Sequence, residues 1–270
     1  MDNRPIAIFD SGFGGLTAYA ALRRMLPREN ILFFADNARA PYGSRTAGQL
    51  RLIARQDLDF AASTGAKVIL AACGTVSANA PDILEAYPLF TLGVLEDGVK
   101  ALAAAPGDAP LGIIATAASI KSGRFAERLG VLCPVREIVP MACPDFVPLI
   151  ESGRCAPDDP AIREAVSRYL RPLRDAGVGS ILLGCTHYGL ISEAITAYMG
   201  DSVRLVSAAE SAAQALCRYI KAHAMEGEGG TERFFTSGSA AEFEQKAALF
   251  LGRAVHGAAH VPVMGLTEER

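Results

Sequence analysis

Val68-Ile69-Leu70-Ala71-Ala72-Cys73-Gly74-Thr75 and Ser180-Ile181-Leu182-Leu183-Gly184-Cys185-Thr186-His187 are two versions of one pattern. Each is a short apolar run of strand length that ends in a cysteine and then small or hydroxylated residues. A continuous apolar run of this length suits a strand buried on both faces, as in a parallel sheet. Similar runs recur along the chain at Pro5–Phe9, Ile31–Phe34, Phe90–Val94, Leu111–Ala115, Arg136–Val139, Val203–Val206 and Arg233–Phe235. Our strand assignments are Lys67–Ala71 and Ser180–Leu183 for the two cysteine-bearing runs.

Helical spacing fills the intervals. Leu16, Tyr19, Ala20, Leu22 and Leu26 share a face of Leu16–Leu26, and Ile162, Val166, Leu170 and Leu173 share one of Ala161–Leu173. Alternating strands and covering helices predict an α/β fold with mostly parallel sheets. The repeated cysteine pattern predicts two half-units related by a pseudo-repeat. Several strands end in polar or small residues: Asp10-Ser11-Gly12, Ala35-Asp36, Cys73-Gly74-Thr75, Thr116 and Cys185-Thr186-His187. Ligands of open parallel sheets bind beyond the carboxyl ends of the strands, so these residues are expected to face one crevice.

The 270 residues are half hydrophobic and 20% charged, which excludes a disordered or collagen-like chain. Twenty-six Lys plus Arg against 29 Asp plus Glu leave a net charge of −3, so neither nucleic acid nor an anionic membrane is expected as a partner. No run approaches the ~18 apolar residues of a membrane span, and the N-terminal apolar stretch is cut at Asp10, too early for a signal peptide. A cytoplasmic protein is expected. Its six cysteines form no C-x-x-C pair and are expected to be reduced thiols, with no metal site.

Cys73 and Cys185 are the chemically informative pair. A cysteine between a strand end and a probable helix start lies beside unpaired backbone N–H groups, which favour a thiolate over the free thiol of pKa about 8.5. Inversion at a carbon acid needs a base on one face and an acid on the other, and two thiols facing each other across a cleft meet that need. Packing is the default role of a strand-end cysteine, and it is the reading for Cys133, Cys143, Cys155 and Cys217, which lack the duplicated context. Asp10 can meet an ammonium group or orient a thiol, or merely cap the next helix together with Ser11. The glycine-rich turn Asp10-Ser11-Gly12-Phe13-Gly14-Gly15 lacks the Lys-Ser/Thr of a P-loop, so nucleotide binding is weakly supported. His187, two residues past Cys185, can steady a thiolate. Pro41-Tyr42-Gly43-Ser44 has the composition of a tight turn, and Glu151 reads by itself as a solvated helix-end carboxylate.

Taken together, Phe9–Thr17, Asp36–Gly43, Cys73-Gly74-Thr75, Lys121-Ser122-Gly123, Cys143–Glu151 and Leu183–Tyr188 resemble the cofactor-independent glutamate racemases of the aspartate/glutamate racemase superfamily. The resemblance implies two pseudo-symmetric three-layer α/β domains, residues 1–97 plus 208–270 and residues 98–207, with the active site between them. It implies that Cys73 and Cys185 are the acid/base thiols, assisted by Asp10, Glu151 and His187. It further implies substrate contacts from Asp10, Ser11, Tyr42, Gly43, Gly74, Thr75, Thr186 and His187, an amino-acid substrate, no pyridoxal phosphate or metal, a homodimer, and a role in supplying D-glutamate for peptidoglycan. Three positions depart from the family pattern: Gly74 stands where Asn is usual, Gly189 where Pro is usual, and Glu96-Asp97-Gly98 where Glu-Pro-Gly is usual. Gly74 keeps two alternatives open, a racemase of another amino acid such as aspartate and a non-catalytic amino-acid-binding homologue. A single-thiol decarboxylase fits less well, because both cysteines are present.

Overall fold

The computed structural model describes residues 1–263. Among the described residues ten strands run in chain order: β1 Ile6–Asp10, β2 Ile31–Ala35, β3 Val68–Ala71, β4 Thr91–Gly93, β5 Leu111–Ala115, β6 Ile138–Ala142, β7 Ser180–Leu183, β8 Arg204–Ser207, β9 Glu232–Thr236 and β10 Ala259–His260. They form a six-stranded sheet in the order β10-β9-β2-β1-β3-β4 and a four-stranded sheet in the order β6-β5-β7-β8, and every pairing is parallel. The expected α/β class with parallel sheets is the observed one. Both sheets share a β-order in which the second strand of the unit flanks the first, then the third, then the fourth. That order makes β3 and β7 equivalent strands, which is the physical content of the repeated cysteine pattern.

Burial follows from the parallel arrangement. On β1, Ile6 and Ile8 point into one core while Ala7 and Phe9 point into another. The helix Ala47–Ser63 covers the second core with Leu50, Ile53 and Leu58, starting at a capping box in which Thr46 and Gln49 satisfy each other's backbone N–H groups. On the opposite face, Leu16 and Leu22, Val99 and Leu102, and Leu216 and Ile220 come from the helices Leu16–Met25, Val94–Ala103 and Ala208–Ala222. They join one continuous core that reaches Leu111, Ile113 and Ile181 of the other sheet. The two halves are therefore packed on shared helices. The residue 97/98 division expected from the resemblance falls inside the helix Val94–Ala103, and residues 264–270 of the first expected domain lie outside the described residues.

Local differences from the sequence reading have simple causes. The strand expected at Arg136–Val139 lies at Ile138–Ala142 and runs through Pro140, which is tolerated because β6 is an edge strand. The run Phe90–Val94 shortens to β4, because Val94 begins a helix. The two-residue β10 carries no apolar run and had no sequence signal. Among the described residues no helix is long and apolar enough to cross a membrane.

Candidate active site

Cys73 and Cys185, just beyond the ends of β3 and β7, line one cavity of about 310 Å3. Beyond Cys73 the chain turns into the short helix Gly74–Asn79, and beyond Cys185 into a 3-10 turn, Thr186–Ile191. Every residue expected at the site lines this cavity: Asp10, Ser11, Tyr42, Gly43, Cys73, Gly74, Thr75, Glu151, Cys185, Thr186 and His187. A larger hollow of about 470 Å3 is lined by Ser77, Glu96, Arg124 and Arg128, among others, and holds neither thiol. Chemistry, not size, selects the cavity between the cysteines.

The two thiols have different partners. Cys73 is nearly inaccessible. Burial pushes its thiol up, the Asp10 carboxylate pushes it further, and hydrogen bonds from the Val76 N–H and the Ser11 hydroxyl oppose this only in part. Asp10 is itself fixed: its carboxylate accepts the Gly15 N–H at 2.8 Å. On the other side Cys185 Sγ lies 3.7 Å from His187 Nδ1, and His187 Nε2 lies 3.0 Å from Glu151 Oε1. Burial of His187 works against its charge, but the hydrogen bonds to Cys185 and Glu151 and the nearby Asp10 charge outweigh it and raise the imidazole to about 10. Cys185, His187 and Glu151 thus form a hydrogen-bonded chain that keeps the imidazole protonated, whereas burial and Asp10 favour the neutral thiol at Cys73.

Glu151 is where a lone reading of the sequence misses most. It ends the short helix Phe146–Glu151, as expected, but it is part-buried and turned onto His187. Tyr42 lines the cavity with its hydroxyl already engaged. That hydroxyl bonds Asp36 and, at 2.9 Å, Asp57, and Arg39 joins the two carboxylates at 2.6 and 2.7 Å. This buried network holds the turn Tyr42–Ser44 at the cavity edge. Thr75 reaches Thr116 across the cavity at 3.0 Å, and Thr116 follows β5, so its strand-end position was its only sequence signal. Cys143, assigned to packing, also lines the cavity. It is fully buried, and its carbonyl accepts the Tyr188 hydroxyl at 3.0 Å.

The cavity thus brings together two cysteines at equivalent strand ends, one near the Asp10 carboxylate and the other beside the His187 imidazole. Residues 15–216 match the Asp/Glu/Hydantoin racemase family, and the chain belongs to that family and is an isomerase of the racemase kind. It is 37% identical to a glutamate racemase of Beutenbergia cavernae over 93% of this chain and 91% of that one. Glutamate racemase from Bacillus anthracis superposes with a TM-score of 0.92 at 28% identity, covering 97% of this chain and 99% of that one. The Francisella tularensis glutamate racemase, solved in complex with D-glutamate, gives a TM-score of 0.89 at 30% identity over 97% and 98% of the two chains.

Proposed function

We propose that this chain interconverts L- and D-glutamate without a cofactor, using Cys73 and Cys185 as the two proton-transfer groups. The observation that carries this reading is the single cavity in which both strand-end thiols sit with opposite electrostatic surroundings. Glutamate as substrate is supported by the glutamate racemases to which the chain is similar, one of them solved with D-glutamate.

In the reaction one sulfur, as thiolate, takes the α-proton and becomes a thiol while the electron pair of the broken C–H bond stays on the substrate. The opposing thiol then gives its proton to the other face of that carbon and becomes the thiolate. The two sulfurs end with exchanged protonation states, so the reverse reaction starts from the product side without a further reagent. His187, held by Glu151, stabilises Cys185 as thiolate, and Asp10 keeps Cys73 protonated until the carbanion draws its proton away. Ser11, Tyr42, Gly43, Gly74, Thr75 and Thr186 surround the substrate. The domain division 1–97 plus 208–270 and 98–207, a homodimer, a cytoplasmic location, and supply of D-glutamate to peptidoglycan belong to the same proposal.

Proton NMR of L- and of D-glutamate with the reduced protein in D2O tests it, with no cofactor added. Loss of the α-proton signal from both enantiomers is the expected result, and persistence of both signals overturns it. Gly74 favours a second reading, a racemase of another amino acid such as aspartate. A higher kcat/KM for aspartate than for glutamate would establish that reading instead.

A further inference from the structure

Gly74 follows one thiol and Gly184 precedes the other, and the two glycines touch. A Cβ built on Gly74 would lie 2.1 Å from the Gly184 carbonyl oxygen, where real Cβ contacts essentially never fall below 3.0 Å. The obstructing atom is backbone, so no change of rotamer relieves it. Gly14 repeats the pattern: a Cβ there would lie 2.4 Å from Thr186 Oγ1 and 2.3 Å from His187 Nδ1. Thr17 Oγ1 lies 3.2 Å from the Thr186 carbonyl oxygen. Three residues of the first half thus converge on 184–187, the segment that carries Cys185.

We propose that Gly74 is a positioning residue whose bare Cα lets the Gly184 carbonyl dock against it and so sets the distance between the Cys73 and Cys185 thiols. The contact is one residue removed from each sulfur, so any change in its length passes directly to the gap the substrate must fill. Any side chain at position 74, including the Asn usual in the family resemblance, makes Gly184 withdraw by the best part of an ångström. Misplacement on that scale is enough to cost about 10²-fold in a proton-transfer geometry. The loss is selective: the thiol that takes the proton still reaches it, while the opposing thiol recedes. Its captured proton exchanges with solvent and returns to the same face.

This inference rests on the two-thiol reading, and the test separates the two. L-Glutamate is turned over in D2O by the wild-type chain, Gly74→Ala, Gly74→Asn and Gly112→Ala, and deuterated L- and D-glutamate are separated by chiral chromatography with mass detection at early times. The wild-type chain should place deuterium mainly in the inverted product. Gly74→Ala and Gly74→Asn should both lose about 10²-fold in kcat with KM changed less than threefold, and raise the ratio of deuterated retained substrate to inverted product at least tenfold. Gly112→Ala crowds Leu173, Ile181 and Val178 within the second half alone, and should lower the melting temperature without moving that ratio. Wild-type kcat and ratio in the Gly74 variants, or a faster Gly74→Asn, overturns the inference while leaving the two-thiol reading standing. A wild-type chain that neither inverts nor exchanges glutamate overturns both. Should the Gly74 variants not fold, Thr17→Val removes the neighbouring cross-contact with little change of shape. It must then raise the same ratio, and an unchanged ratio in it overturns the inference.

Discussion

Cys73 and Cys185 stand at equivalent ends of β3 and β7, yet one faces a carboxylate and the other an imidazole. The shared β-order delivers equal positions, and the loops and short helices that follow deliver unequal charge. Asp10 comes from the end of β1 in the first sheet, while His187 and Glu151 come from the second half. The proposed two-thiol inversion would use this combination: separate positions so that both faces are reached, and unequal neighbours so that one group can act as base while the other acts as acid.

The largest effect expected is loss of either sulfur. A serine hydroxyl is a far weaker acid than a thiol, so Cys73→Ser and Cys185→Ser should each cut racemisation by roughly 10³-fold or more, read by circular dichroism of glutamate. Each single variant should still exchange the α-proton of one enantiomer only, and of opposite enantiomers in the two cases. If both variants exchanged the same enantiomer, the assignment of one thiol to each face would be wrong.

Next come the neighbours, where the two sides should respond in opposite senses. Removing the Asp10 charge takes away a cause of the raised Cys73 value, so Asp10→Asn should make Cys73 alkylate faster with iodoacetamide at pH 7. His187→Gln should make Cys185 alkylate more slowly, because the imidazolium 3.7 Å from its sulfur is gone. Both should lower kcat, by roughly 10²-fold. Peptide mass spectrometry reads the two sites separately, and a change of the same sign at both would erase the contrast.

A smaller change probes how Glu151 sharpens it. The His187 imidazole is raised in the folded chain to about 10, with burial opposing the shift and Cys185 and Glu151 producing it. A group raised on folding stabilises the fold fully below its unfolded value of about 6.5, and that contribution is lost as pH climbs through about 10. Glu151→Gln should lower the His187 value and shrink its contribution. The melting temperature of the variant should therefore change less between pH 7 and 9.5 than that of the wild-type chain. Nitrogen NMR of the imidazole should show it losing its proton at lower pH, and an unmoved titration would place Glu151 outside the proton-transfer chain.

How much of this was legible beforehand depended on whether a residue's role is local. Every strand except β10 was visible as an apolar run, and the pair Cys73 and Cys185 was visible because strand and cysteine repeat together. His187 was visible through its spacing from Cys185. Glu151 was not, since its partner is 36 positions away and only the packing of the helix Phe146–Glu151 brings it to the imidazole. Resemblance supplied it where the pattern could not. Cys143 shows the converse: burial was foreseen, but cavity lining requires knowing that the segment after β6 folds over the ends of β5 and β7. The fate of Tyr42 was also hidden, because Asp57 lies in the helix Ala47–Ser63, whose buried carboxylate no apolar periodicity announces.

That last residue yields the smallest and most discriminating comparison, between the buried tyrosines that support the two sides. Tyr42 on the Cys73 side has one hydroxyl hydrogen and two carboxylates in reach, so a second proton has to reside in the network. Burial and the charge of Asp36 push Asp57 up and favour placing it there. Tyr188 on the Cys185 side donates to one neutral carbonyl, that of Cys143, and packs its ring edge-on against Phe146 at 5.1 Å. Tyr42→Phe strands the buried, charged Asp36 acceptor and the Asp57 proton and should cost about 1–3 kcal/mol, whereas Tyr188→Phe strands one carbonyl and should cost about 1 kcal/mol. At a few degrees of melting temperature per kcal/mol for a chain of this size, the two variants should separate in calorimetry. Equal losses would mean that the turn beside Cys73 hangs on packing alone, and that the charge contrast between the two sides stops at the thiols' own neighbours.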